Sequence, residues 1–134
     1  MFPEIFSSFL EESLINKAID QRHLKVDRVN FRRHGRGKHL QVDDIPYGGG
    51  PGMVLIVEPI ALTIAERKEF HNAAGRETHT ILVTPQGQTF SQEKAKQLSQ
   101  REAVLTLICG RYEGFDERIR SLVDEEISGG DFIC

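Results

Sequence analysis

Ala103-Val104-Leu105-Thr106-Leu107-Ile108-Cys109-Gly110-Arg111-Tyr112-Glu113-Gly114 is the stretch that decides the fold. Its first seven residues are nearly all apolar, as a strand buried on both faces of a sheet would be. Gly110–Gly114 follows as a polar loop punctuated by glycine. A second strand, His79–Thr84, is likewise followed directly by a turn, Pro85-Gln86-Gly87-Gln88. Between the two strands, Ser91 predicts the N-cap of a helix running to about Gln100. Strand, helix and strand in this order predict an α/β fold with a mostly parallel sheet flanked by helices. Such sheets gather their ligands at the carboxyl ends of the strands. Pro85–Gly87 and Gly110–Gly114 are therefore expected to line one crevice.

Working outward, residues 4–22 read as a helix, with Phe6, Phe9, Leu10, Leu14, Ala18 and Ile19 near one face. Leu24–Phe31 is expected to be extended, and residues 32–53 irregular. A helix opens with Pro59 in its first turn and stops near Gly75. Downstream, a helix around Asp116–Leu122 and a short strand around Glu126–Ser128 complete the pattern. The most telling loop is Pro46-Tyr47-Gly48-Gly49-Gly50-Pro51-Gly52-Met53, whose four glycines and two prolines exclude helix and central strand. It describes a backbone that approaches something closely.

The 134 residues suit one domain with a single core. Hydrophobic content of 39% and charged content of 28% are those of a globular protein. No apolar run approaches the roughly 18–20 residues of a membrane span, and no signal peptide is visible, so a cytoplasmic location is expected. Cys109 and Cys134 have no metal-like spacing, so no metal site is read from them. Net charge is −3, but it is segregated: seven Lys/Arg against Asp27 between Arg22 and Lys38, and seven acids against Arg118 and Arg120 between Glu113 and Asp131. A local basic patch on an acidic chain permits a nucleic-acid partner. A non-catalytic RNA-binding module built on residues 22–39, with His34 and His39 beside the basic residues, is one alternative. A small-molecule or dimer scaffold without turnover is another.

A P-loop is excluded because Gly52 is followed by Met53-Val54, and a dinucleotide fingerprint because the glycines follow a polar loop. Taken together, several blocks resemble the bacterial tRNA (guanine-N(1)-)-methyltransferases. They are Phe2-Pro3-Glu4, Lys38-His39, Val42-Asp43-Asp44, Pro46–Met53, Pro85-Gln86-Gly87, Cys109–Gly114 with Asp116-Glu117-Arg118, and Asp124-Glu125-Glu126. They run from one end of the chain to the other.

The resemblance implies a SPOUT-type trefoil-knot methyltransferase domain spanning residues 1–134. It also implies S-adenosylmethionine as methyl donor, Mg2+ as an accompanying ion, tRNA as substrate, a homodimer, and methylation of the guanosine 3′ of the anticodon. By the same resemblance Pro85, Gln86, Gly87, Gly110, Tyr112, Glu113 and Gly114 contact the cofactor or wall its pocket. Gly129, Gly130, Asp131, Phe132, Ile133 and Cys134 close over it. Asp43, Asp44, Tyr47, Gly50 and Arg111 are the expected tRNA contacts, with Tyr47 stacking on a base and Arg111 meeting either phosphate or the Glu125/Glu126 region. Asp116 and Glu117 are expected to complement a helix N-terminus rather than act in chemistry, and Cys109 to be a small core residue. Three departures stand out. Met1 falls where the family's first strand would end. The general-base Asp, its helping Arg and the helical tRNA-binding domain are expected beyond Cys134. The family's Ser-Ile-Gly-Asp-Tyr is here Ser128-Gly129-Gly130-Asp131-Phe132. The sequence thus reads as a domain truncated at both ends, or a degenerate copy, with no catalytic residue of its own.

Overall fold

Thr78–Thr89 forms one long strand, β3, at the centre of a three-stranded parallel sheet in the computed structural model, which describes residues 3–46, 48, 49, 52–110 and 114–130. Its neighbours are β4, Val104–Cys109, and β5, Glu125–Ser128. The β3–β4 ladder runs from Thr78 opposite Val104 to Val83 opposite Cys109. The β3–β5 ladder runs from Ile81 opposite Glu125 to Val83 opposite Ile127, then resumes with Gln88 opposite the same Ile127. The expected turn at Pro85–Gln88 is therefore a bulge inside a continuous strand. Pro85 has no N–H for a ladder, and Gly87 lets the chain close again on β5.

Helix α3, Val57–Ala73, carries Pro59 in its first turn, and Gly75 takes φ +67° just past its end, as the sequence predicts. Helix α4, Gln92–Ser99, is capped by Ser91, whose Oγ accepts from the Lys94 N–H at 3.2 Å. A 3-10 helix, Glu117–Leu122, follows β4, and the Asp116 side chain accepts from the Arg118 N–H at 3.0 Å. Asp116 thus serves as the cap expected of it. Val42, Leu55, Ile60, Ile64, Leu82, Ile108 and Ile119 form the core between α3, the sheet and this 3-10 helix. No helix of the described residues is long and apolar enough to cross a membrane.

Two expectations fail for the same reason. The helix expected over 4–22 is a 3-10 turn, Pro3–Phe6, and two short helices, α1, Ser7–Leu10, and α2, Ser13–Asp20, broken where Ser13 takes φ +54°. Its apolar face has little to pack against: Phe9 is 64% and Leu14 76% exposed. A helix that short draws most of its stability from packing. Likewise β4 is an edge strand of this sheet rather than one buried on both faces, so its side chains alternate and Leu107 is 60% exposed. Cys109 is exposed at its end, not a core residue.

The segment expected to be irregular contains a 3-10 helix, Phe31–His34, an Arg36–Gln41 bridge, and β1, Asp43–Asp44. β1 pairs antiparallel with β2, Val54–Leu55, so the glycine-rich loop is the tip of a hairpin.

A polar knot closes the sheet beside the core. Glu125 on β5 lies 3.0 Å from His79 Nε2 and accepts from Lys94 Nζ, and all three side chains are largely buried. Burial pushes the Glu125 carboxyl up, but the hydrogen bonds and charges of Lys94 and His79 outweigh it and hold it below the ordinary glutamate range. A depressed carboxylate adds stability that is present above its unfolded value and is lost as pH falls through its folded value. Glu125→Gln should therefore cost about 1–2 kcal/mol at neutral pH and flatten the acid limb of a urea-midpoint profile. An unchanged acid limb would refute this assignment.

Candidate functional site

The carboxyl ends of β3 and β4 open into a cleft of about 330 Å3, lined by Val54, Leu82, Val83, Thr84, Pro85, Gln86, Gly110, Gly114, Phe115, Asp116, Glu117 and Arg120. Pro85 and Gln86 do meet Gly110 and Gly114 in one crevice, as strand order predicts. The hairpin of the glycine-rich loop is tied to it by main-chain bonds. Leu55 N–H donates to Gly114 O at 3.1 Å, and Asp116 N–H donates to Leu55 O at 3.0 Å. Two loops nearly sixty residues apart are thereby joined at one wall.

The glycines here serve two purposes. At Gly87 a Cβ would lie 2.5 Å from Ile127 N, and at Gly110 2.3 Å from the Phe115 ring, so both permit close packing within the chain. At Gly48 and Gly49 a Cβ would meet nothing within 4 Å, and Gly49 takes φ +72°. Those two positions leave open space beside the backbone. The charged groups of the cleft are paired within the chain. Asp116 holds Arg118 through both carboxylate oxygens, at 2.9 and 2.6 Å, and the Arg118 hydrogen bonds outweigh burial to keep its carboxyl below the ordinary range. Arg120 donates to Gln86 Oε1, Glu117 and Glu126. The remaining wall is Thr84, Gln86, apolar side chains and main chain, suited to a flat heterocycle with polar edges. A larger and more open hollow of about 510 Å3 lies at the amino ends of β3 and β4, lined by Gly75, Arg76, Glu77, Glu102, Ala103 and Val104. Its place is the wrong end of a parallel sheet for a ligand site.

Of the expected cofactor residues, Pro85, Gln86, Gly110 and Gly114 line the cleft, and Gly87 packs behind it on β5. Gly129 and Gly130 follow β5, where the Gly130 N–H donates to Ser128 Oγ at 3.3 Å. Tyr112, Glu113, Asp131, Phe132, Ile133 and Cys134 lie outside the described residues, as do Tyr47, Gly50 and Arg111. Asp43 and Asp44 stand on β1, with Asp44 opposite the cleft-lining Val54 and exposed. Val54, Phe115 and Arg120 are cleft residues that reading the sequence missed. For Arg120 a signal existed, since Glu117 three residues before it is a helical ion-pair spacing.

The basic segment is largely spent inside the chain. Arg33 and His34 meet Glu66 at 2.8 and 2.9 Å, Arg36 meets Glu58 at 2.7 Å, and Arg32 donates to His39 O at 3.2 Å. These contacts dock residues 31–39 against α3 and diminish the case for a free RNA-binding patch.

The family model for tRNA (guanine-1)-methyltransferases matches residues 1–134, the whole chain. The chain belongs to the tRNA (guanine-N(1)-)-methyltransferase family. It is 48% identical over 133 residues to the tRNA (guanine-N(1)-)-methyltransferase of Metamycoplasma arthritidis, covering 99% of this chain and 54% of that protein. The Lactiplantibacillus plantarum enzyme of the same name is 49% identical over 133 residues, with 99% and 52% covered. The crystal structure of the tRNA (m1G37) methyltransferase from Aquifex aeolicus superposes with a TM-score of 0.78 at 38% identity, covering 98% of this chain and 57% of that one. The α/β class with its parallel sheet is thus a property of this methyltransferase family. The chain spans about half the length of the curated relatives it matches.

Proposed function

We propose that this chain supplies the S-adenosylmethionine cleft of an enzyme that methylates N1 of the guanosine 3′ of the anticodon in tRNA, working as a homodimer in the cytoplasm around a trefoil knot. One observation carries the reading. Two segments, one carrying Thr84, Pro85 and Gln86 and the other Gly110 and Gly114, meet at the carboxyl ends of neighbouring parallel strands on a cleft walled by Leu82, Val83 and Phe115. At about 330 Å3 it falls within the range of small-molecule sites. A flat purine fits between such apolar walls while main-chain N–H and C=O groups satisfy its edge. The donor, when bound, supplies a methyl group on a sulfonium.

The chain's own part is to bind, orient and exclude water. Leu82, Val83 and Phe115 remove the heterocycle from solvent, and the bulge at Pro85-Gln86 and Gly110 at the end of β4 present main chain to it. Asp43, Asp44, Tyr47, Gly50 and Arg111 are proposed to contact the tRNA. No side chain of this chain is assigned as the base that takes the guanine N1 proton or as the group that stabilises the charge developing on O6. Among the described residues no group of three or more His, Cys, Asp or Glu is arranged to hold a metal ion.

Isothermal titration of the 134-residue chain with S-adenosylmethionine tests the reading. Saturable heat at one donor per chain is expected. Absence of heat in a folded sample overturns it. An RNA-only module would instead bind unmodified tRNA transcript with a steep salt dependence and ignore the donor.

A further inference from the structure

We propose that Arg120 is a positioning residue for this cleft: it fixes the Gln86 amide so that its N–H donors face the bound ligand. The inference rests on the proposed donor cleft and deepens it. Each guanidinium nitrogen of Arg120 is engaged on a different element. Nε donates to Glu126 Oε2 of β5 at 3.1 Å, Nη1 to Glu117 Oε2 of the 3-10 helix at 3.2 Å, and Nη2 to Gln86 Oε1 in the β3 bulge at 2.6 Å. The bulge itself sits where the β3–β5 ladder is interrupted between Val83 and Gln88. A side-chain strut stands where ladder bonds are missing.

The chemistry of the strut sets a direction. Arginine has five N–H donors and no acceptor. The Gln86 amide can satisfy it only through Oε1, which leaves Nε2 and its two hydrogens for any other partner. Without Arg120 the amide is free to present either end. A glutamine so held selects a ligand bearing an acceptor at that point, such as a ring nitrogen or a carboxylate oxygen. The ion pairs are partly exposed, Arg120 at 38% and Glu117 at 75%, so they contribute little to overall stability. Their removal should be read in the cleft rather than in folding.

The test titrates S-adenosylmethionine into the wild-type chain and into Arg120→Met, Arg120→Lys and Gln86→Glu, with thermal melts and the Gln86 side-chain amide signals followed by NMR. Gln86→Glu keeps the pair with Arg120 but offers no donor. Arg120→Met and Gln86→Glu should each weaken binding about tenfold, the value of one hydrogen bond, with Tm nearly unchanged. Arg120→Lys should recover most of the loss, and the Gln86 amide signals should move in Arg120→Met even without donor. If the wild type binds and either Arg120→Met or Gln86→Glu binds within twofold of it, the inference is overturned while the cleft assignment stands. If the wild type itself gives no heat, the cleft assignment fails and the inference falls with it.

Discussion

Leu55→Ala is expected to destabilise the chain by about 2–5 kcal/mol, the cost of removing a fully buried leucine and leaving a cavity. Leu55 is 0% exposed and packs in the cluster with Val42, Ile60, Ile64, Leu82, Ile108 and Ile119. Its main chain also bonds to both Gly114 and Asp116. The side chain anchors the hairpin, and the backbone joins that hairpin to the loop after β4. Losing the anchor should loosen the wall of the cleft together with the core. A urea melt measures the first effect, and donor titration well below the shifted midpoint measures the second. A loss under 1 kcal/mol would mean that this residue does not bind the two loops together.

Gly87→Ala should cost about 2–3 kcal/mol, an unusually large effect for one added methyl. The new Cβ would lie 2.5 Å from Ile127 N and 2.6 Å from Glu126 C. Both are main-chain atoms of β5, so no side chain can swing aside to relieve the clash, and the ladder must separate where it resumes at Gln88 and Ile127. Gly48→Ala is the control. Its Cβ meets nothing within 4 Å, so its urea midpoint should move little. Equal midpoints for the two variants would show that the approach of β3 to β5 is not as close as described.

Particular residues show how far the sequence could be read. Ser91, Gly75 and Asp116 announce the ends of three helical segments, because capping depends only on a few neighbouring backbone groups. The meeting of Pro85 and Gln86 with Gly110 and Gly114 follows from strand order alone. The exposure of Leu105 and Leu107 does not, because an apolar run looks the same whether a strand is central or at an edge of a sheet. The long amphipathic pattern over 4–22 reads as one helix, yet Phe9 and Leu14 find little to pack on and the helix breaks at Ser13. The engagement of Arg33, His34 and Arg36 with Glu58 and Glu66 was equally hidden, since the partners lie more than twenty residues away.

From its sequence alone, this protein already had its strand–helix–strand order, its helix stops, its glycine-bearing loops and its family. These depend on local backbone preferences and on residue identity at fixed positions, which short stretches carry complete. Only the tertiary structure decided that Gly87 closes on β5, that Leu55 ties the hairpin to Gly114, and that Arg120 spans three elements around Gln86. Those are contacts between distant segments, set by which surfaces find a partner once the core has formed, and no local pattern encodes them.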